Sequence, residues 1–521
     1  MYFKFFKLHS WAKRSADSHR RLNHRLPDRK RSFSLPHSIC GRLNGGLLWK
    51  GTTFMYRFQL PEDFLIGTAN SAFQSEGAWD RDGKSESIMD HFARKYAGKL
   101  SPAEQRKLDA GRSPDQVRPN SLEMPDRGCF FYDNYEAYIE DMQKTGQNTY
   151  RMSLSWPRIL PDGVGAVNQL AIDHYNRVID KLLSCGITPF VDLYHWDLPM
   201  CLFEQGGFLN PEFPAWFENY ARVCFTAFGD RVKLWSTFNE TQISLNGGFD
   251  SGGFPPFRQN KREALLGGHH VLLAHFRAVR LYRSMQLGGK IGAVNCLTAI
   301  TPARICAEDV KAVDIQWEHT FGWWTQPMLE GRYPQSLIDE LPFIRDNLPA
   351  HYQEDLDRWF APMDFIGVNY YIATRTQFCE TMPLHSRPVQ SFYSAPGQRF
   401  APYPAGLFDA VMSIAERYPG VEIYITENGC ALQNRHDAGT ECDDPERITY
   451  LREHLRMVCR CLQAGAKLKG YYYWNDADSY EELDGYNLRF GLTWVDHETG
   501  ERRWKNSRYY FSQICRNRMV D

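Results

Sequence analysis

The sequence predicts an α/β fold, a single (β/α)8 TIM barrel, and three observations predict it. β-prone runs alternate with amphipathic helical stretches along the chain, the pattern of a parallel sheet wrapped by helices. Eight such runs are present, and eight parallel strands close into one barrel domain even in a chain of 521 residues. Two runs far apart in the chain each end on a glutamate, in Trp235-Ser236-Thr237-Phe238-Asn239-Glu240 and Ile423-Tyr424-Ile425-Thr426-Glu427-Asn428-Gly429. A parallel barrel gathers its chemistry at the carboxyl ends of its strands, so residues distant in sequence converge over one mouth. One glutamate in such a place is ordinarily a solvated carboxylate; two in matching contexts point to acid/base work.

In chain order, the strands are read at 64–67, 148–154, 187–194, 233–239, 290–295, 365–370, 422–426 and 468–474. The third, Ile187-Thr188-Pro189-Phe190-Val191-Asp192-Leu193-Tyr194, is rich in β-branched and aromatic residues and follows a helix-like stretch over 171–184. The fifth follows another over 269–285. In the seventh, alternating Val421, Ile423 and Ile425 stop at the turn-forming pair Asn428-Gly429. Two regions fall outside the alternation. The polar stretch 95–127 reads as an insert after the first strand, and 378–403, with Pro383, Pro388, Pro396 and Pro402, reads as a long loop over the mouth. No internal repeat is visible.

Composition narrows the class. Residues 1–54 hold twelve Lys/Arg against two acids, a net of +10, so the remaining chain carries −11 of the overall −1. An acidic body argues against a nucleic-acid surface. The basic segment reads as an unstructured extension to a barrel domain over 55–521. Its Arg/Ser-rich, acid-poor composition also fits an organellar transit peptide or an interaction patch around Arg29-Lys30-Arg31, whereas no uninterrupted apolar core or small-residue cleavage site marks a secretory signal. Thirteen scattered cysteines without a Cys-x-x-Cys pair suggest neither a disulfide framework nor a zinc site. The absence of an apolar stretch of about 18 residues leaves no membrane-spanning helix in the sequence reading. The expectation is a soluble cytoplasmic protein without metal or cofactor, since no phosphate-cradling glycine loop appears either.

The chain resembles the retaining β-glycosidases of glycoside hydrolase family 1 over residues 58–511. The resemblance rests on six motifs in that family's order: Leu60-Pro61-Glu62-Asp63-Phe64 leading into Gln74-Ser75-Glu76-Gly77, Tyr150-Arg151-Met152-Ser153, His195-Trp196-Asp197-Leu198-Pro199, Thr237-Phe238-Asn239-Glu240, Asn369-Tyr370-Tyr371 and Ile425-Thr426-Glu427-Asn428-Gly429. It implies a general acid/base at Glu240 and a nucleophile at Glu427 supported by Arg151 and Tyr371. It implies sugar binding by Gln74, His195, Trp196, Asn239, Asn369, Trp474 and Glu481, with Glu482 beside them. Breaking a glycosidic bond needs two carboxyl groups in different protonation states, and retention sets them roughly 5–5.5 Å apart. The expected partner is a short oligosaccharide or an aryl or alkyl β-glycoside with glucose, galactose or fucose at its non-reducing end.

The sequence departs from the family in its carboxy-terminal segment. The family has Glu-Trp in the loop after the eighth strand, where this chain has Tyr480-Glu481-Glu482-Leu483-Asp484-Gly485-Tyr486. Exchanging an indole donor for a carboxylate acceptor changes which hydroxyls are read, and three acids here would repel a phosphorylated sugar. Thr241 also stands where proline follows the acid/base. The alternatives are a transglycosidase of the same fold, which product analysis at high sugar concentration separates, and a non-catalytic carbohydrate-binding barrel, which would lack one of the two glutamates. The sequence sets no oligomeric state.

Because 1–54 lies outside the resemblance and has no sustained apolar periodicity, its deletion is expected to leave activity unchanged and the melting temperature within about 2 °C. A larger fall in a thermal melt would show that the segment contributes to the fold.

Overall fold

The computed structural model describes residues 58–112, 124–389, 401–433, 439 and 442–521; the basic extension lies outside them. Eight parallel strands close into a barrel in which neighbours in space are neighbours in sequence. They are β1 (Leu65–Asn70), β2 (Thr149–Ser153), β3 (Thr188–Tyr194), β4 (Leu234–Asn239), β5 (Lys290–Cys296), β6 (Phe365–Asn369), β7 (Glu422–Asn428) and β8 (Leu468–Trp474). The principal outer helices are α1 (Phe131–Thr145), α2 (Gln169–Ser184), α3 (Phe213–Phe228), α4 (Lys261–Ser284), α5 (Tyr352–Trp359), α6 (Pro404–Arg417), α7 (Pro445–Gln463) and α8 (Asn506–Asn517). Short strands Phe58–Gln59 and Met519–Val520 pair antiparallel, so the segment entering the barrel is held beside the one that leaves it.

Local chemistry explains the boundaries. Asn168 caps α2 by accepting from the Leu170 amide at 3.2 Å, and Asn260 caps α4 by accepting from the Arg262 and Glu263 amides at 3.1 and 3.3 Å. The second cap places the start of α4 eight residues before the position read from the sequence, where Gly267-Gly268 resembles a break. Those glycines lie inside the helix for packing reasons. A Cβ on Gly267 would sit 2.8 Å from Leu245, and one on Gly268 would sit 2.9 Å from the Trp324 ring. The first strand likewise runs past Gly67, because Thr68 finds partners there: Gln147 Oε1 accepts from its amide at 3.0 Å and its hydroxyl at 2.9 Å.

The stretch read as a long loop is partly ordered. Ser386–Val389 pairs antiparallel with Ala373–Phe378, which pairs parallel with Ala299–Pro302, making a small three-stranded sheet. Residues 390–400 lie outside the described set. In the 95–127 insert, helix Pro102–Asp109 is capped by Ser101, and residues 113–123 lie outside the described set.

Aromatic rings fill the barrel interior. Phe190 meets Phe365 and Tyr472 edge to face at 5.5 Å and Tyr424 at 6.0 Å, all four buried. Burying each ring contributes about 2–3 kcal/mol. This layer forms a rigid floor on which the polar residues of the mouth stand: the Arg151 guanidinium lies 6.0 Å above the Phe190 ring.

At the mouth, β7 and β8 approach so closely that a Cβ on Gly429 would lie 1.9 Å from the Trp474 carbonyl oxygen. A backbone atom cannot swing aside as a side chain can. Gly429→Ala is therefore expected to destabilise the fold by roughly 2–3 kcal/mol, read as a lowered melting temperature. An unchanged melt would contradict the close approach.

Candidate active site

The buried centre of the mouth is Arg151 on β2, which is fully shielded from solvent. Its Nη1 donates to Glu427 Oε1 at 2.7 Å and to the Thr426 carbonyl at 3.1 Å, both on β7. Its Nη2 donates to Asn239 Oδ1 on β4 at 2.8 Å and makes an ion pair with Asp192 Oδ2 on β3 at 2.6 Å. One guanidinium thus joins four strands, and its two carboxylate partners hold its own pKa up despite the opposing effect of burial. The Tyr371 hydroxyl donates to the other Glu427 oxygen, Oε2, at 2.8 Å, while burial and that carboxylate raise the phenol's pKa well above its ordinary value. Both Glu427 oxygens are thereby fixed by donors, one of them cationic.

Glu240 follows β4 directly and has a left-handed backbone, φ 50°, with its amide donating to the Val294 carbonyl of β5 at 2.8 Å. Such a conformation costs a non-glycine residue on the order of 1–3 kcal/mol, and it turns the chain at the mouth. Trp196, just after β3, shares the feature with φ 75°. The carboxyl Oε1 of Glu240 accepts from Asn369 Nδ2 at 2.8 Å. Burial first, then the negative charge of Glu427, pushes the Glu240 pKa up to about 8; Asn369 and Arg151 oppose the rise, and Glu482 adds to it. The two glutamates are joined by a continuous run of contacts, because Arg151 donates to both Glu427 and Asn239, and Asn369 donates to both Asn239 and Glu240.

The sequence-predicted sugar-binding residues converge on the same mouth. Asn239 Nδ2 donates to His195 Nε2 at 3.0 Å, which assigns the imidazole proton to Nδ1. The His195 and Trp474 rings are nearly parallel, 17° apart with centroids 5.7 Å apart. Gln74 Nε2 donates to the Tyr480 carbonyl at 2.9 Å and reaches Glu481 Oε1 at 3.4 Å, docking the loop after β8 onto the segment after β1. Glu481 is buried and Glu482 half-buried. Trp196 Nε1 donates to the Asn239 carbonyl at 3.1 Å, and its ring borders an apolar cavity with Ile88, Met89, Tyr194, Ile243 and Phe254. Asn369 differs from the sugar-binding reading: its nitrogen serves Asn239 and Glu240, and its oxygen accepts from Thr426 Oγ1 at 2.7 Å, so its polar atoms position protein groups.

Several participants were not singled out from sequence. Asp192 pairs with Arg151 and accepts from Ser236 Oγ on the next strand; an acid between Val191 and Leu193 in an apolar run is the signal that marks it. Asn428, read as a turn residue, is a buried strut that donates to the Tyr370 carbonyl at 2.7 Å and to Tyr450 Oη at 2.8 Å, and accepts from Tyr471 Oη at 2.8 Å. Cys296, at the end of β5, lies against Glu240, and burial pushes its thiol pKa well up. The twelve cysteines of the described residues are free thiols, and no group of metal-ligating side chains occurs among those residues.

A protonated Glu240 stabilises the fold fully below the ordinary carboxyl pKa of 4.5, and that contribution is lost as pH rises through about 8. Glu240→Gln keeps a neutral side chain at every pH. Its melting temperature is expected to exceed that of the parent by a margin of about 2 °C that grows between pH 4.5 and 8 and vanishes below it; a pH-independent difference would contradict the assignment.

Comparison with known proteins agrees with this geometry. The family model described as glycosyl hydrolase family 1 matches residues 56–520. Beta-glucosidase A of Thermotoga maritima is 35% identical over 88% of this chain and 98% of its own. The 6-phospho-beta-glucosidase GmuD of Bacillus subtilis is 36% identical over 89% of this chain and 98% of its own. Among solved structures, the family 1 β-glucosidase from Thermotoga maritima superposes with a TM-score of 0.80 at 34% identity, covering 89% of this chain and 100% of that one.

Proposed function

The chain belongs to glycosyl hydrolase family 1 and is an O-glycosyl hydrolase of the β-glucosidase type, and from that premise we propose a retaining exo-β-glycosidase that removes single β-D-glycosyl residues from non-reducing ends by double displacement. The observation that carries this reading is the contrast between the two carboxyl groups. Glu427 receives a guanidinium and a phenol, which compensate its charge. Glu240 receives neutral groups, the Asn369 amide and the Cys296 thiol, while burial and a neighbouring anion hold its proton on at neutral pH.

In the first step, Glu240 gives its proton to the glycosidic oxygen as the bond from that oxygen to the anomeric carbon breaks, and a Glu427 oxygen forms a bond to that carbon. The aglycone leaves as an alcohol or phenol. In the second step, Glu240, now ionised, takes a proton from water as the water oxygen attacks the anomeric carbon and Glu427 departs as carboxylate. The sugar leaves with its β configuration, and both side chains return to their starting states. Trp474, His195, Asn239, Gln74 and Glu481 hold the glycone. The apolar wall beside Trp196 suits an aryl or alkyl aglycone, which supports glucosides of that kind as substrates, with galactosides and fucosides as further candidate glycones.

Glu427→Ala is expected to lower kcat on the order of 10⁴-fold, and azide or formate, small enough to fill the vacated space, should restore turnover with a product of inverted anomeric configuration. Full activity without added anion would refute the nucleophile. Glu240→Ala should instead show a defect that depends on the leaving group. Dinitrophenyl glycosides should still release a burst of phenol, because a good leaving group needs little protonation, while alkyl glycosides lose on the order of 10²–10⁴-fold. Equal losses for both would exclude Glu240 as the acid.

A further inference from the structure

The insert after β1 takes no part in the reaction as derived above, yet it reaches the side of the mouth where the aglycone must lie. Glu240 protonates the oxygen that joins sugar to aglycone, so the aglycone sits against the turn that carries Glu240. The apolar cavity beside Trp196 is in that place. Two residues of its lining, Ile243 and Ser244, donate their amides to the Glu240 carbonyl at 2.9 and 3.3 Å. Its volume, about 330 Å³, has room for an alkyl chain or an aryl ring. Helix Ile88–Tyr96 contributes Ile88 and Met89 to the lining, and the Ile88 amide donates to the Leu198 carbonyl at 2.8 Å, two residues after Trp196. Loop 252–257 contributes Phe254, Pro255 and Pro256, and the Phe254 ring meets Trp196 edge to face at 5.6 Å.

One side chain of the insert holds that loop at both ends. Arg106, on helix Pro102–Asp109, donates from Nη2 to the Gly252 carbonyl at 2.6 Å and from Nη1 to the Phe257 carbonyl at 3.4 Å. Gly252 and Phe257 are buried, and Arg106 is half-buried. The planar fork of a guanidinium suits such a two-armed contact. Phe257 packs in turn against Phe92 and Tyr96 of helix Ile88–Tyr96, edge to face at 5.8 and 5.6 Å. The loop and the helix that line the cavity are thus braced against each other. We propose that Arg106 is a positioning residue for the aglycone: by clamping both ends of loop 252–257 it keeps the Phe254, Pro255 and Pro256 wall closed on an alkyl or aryl leaving group, so that preference among β-glycosides rises with the apolar length of the aglycone. This rests on the glycosidase reading above. A wall ordered in advance loses its freedom during folding rather than on binding, and it keeps the close contacts that dispersion needs.

The test uses the full-length protein with methyl β-D-glucoside, hexyl β-D-glucoside and β-D-glucosyl fluoride. The two alcohols leave with nearly equal intrinsic ease, so the hexyl-to-methyl ratio of kcat/KM reports contact with the aglycone, while the fluoride makes no such contact. The parent ratio is expected to be at least about tenfold, each buried methylene being worth about fourfold. Arg106→Met and Arg106→Gln, which remove the two-armed donor, should each lower that ratio about tenfold, chiefly through the KM of the hexyl glucoside, and leave fluoride turnover within about twofold. Arg106→Lys, which still reaches a carbonyl, should retain most of the ratio. Phe254→Ala should lower it too, and adding Phe254→Ala to Arg106→Met should cost little more than either change alone, since both act on one wall. A parent ratio near one, or a ratio unchanged in whichever of the Met and Gln variants folds, would overturn the proposal and leave the glycosidase reading intact. An equal loss on all three substrates would overturn it as well, because Arg106 would then serve the fold alone. Turnover of none of them by the parent would remove that reading and this one with it.

Discussion

The mouth of this barrel is organised around the need to satisfy one buried cation. A guanidinium shielded from water must be paired and hydrogen-bonded, and leaving its partners unpaired costs about 3–5 kcal/mol. Arg151 meets that need with groups from three other strands: Asp192 of β3, Asn239 of β4, and Glu427 and the Thr426 carbonyl of β7. The orientations of the remaining groups follow. With its oxygen held by Arg151 and Asn369, Asn239 must present its nitrogen to His195, which settles that ring's tautomer. With its oxygen held by Thr426, Asn369 must present its nitrogen to Glu240. Positions contributed by five strands are thus set by one connected network of donors and acceptors.

The same network divides the labour between two chemically identical side chains. Glu427 sits beside the cation, and Glu240 sits one amide further out, near enough to feel the anion and buried enough to resist ionisation. Environment alone separates a nucleophile from an acid in the proposed reaction. The aromatic floor built on Phe190 keeps this arrangement from relaxing downward, and the close approach of Gly429 to Trp474 brings β7 and β8 together at the height of Glu427 and Trp474.

Most of the architecture was legible in the sequence because its signals are local. All eight barrel strands lie where β-prone runs were read, and Glu240 and Glu427 stand at the ends of β4 and β7 as their runs implied. What sequence left hidden depends on contacts between strands. Asp192 reads as part of a β-prone run until Arg151 is placed beside it. Asn428 looks like a turn former until Tyr370, Tyr450 and Tyr471 surround it. Asn369 belongs to a motif that suggests sugar contact, yet its neighbours on β4 and β7 occupy its polar atoms. The early start of α4 and the hairpin at Ser386–Val389 were missed for a related reason: paired glycines and scattered prolines were read as breaks, when tertiary packing and an edge strand accommodate them.

The central claim is that the carboxylate held by Arg151, and not the one held by Asn369, attacks the sugar. Inactivation with a 2-deoxy-2-fluoro-β-glucoside bearing a good leaving group tests it most directly, because the fluorine slows hydrolysis of the glycosyl-enzyme enough for intact-mass measurement and peptide mapping. The account predicts a single added fluoroglucosyl group located on Glu427. A label on Glu240, or turnover without any covalent adduct, would contradict it.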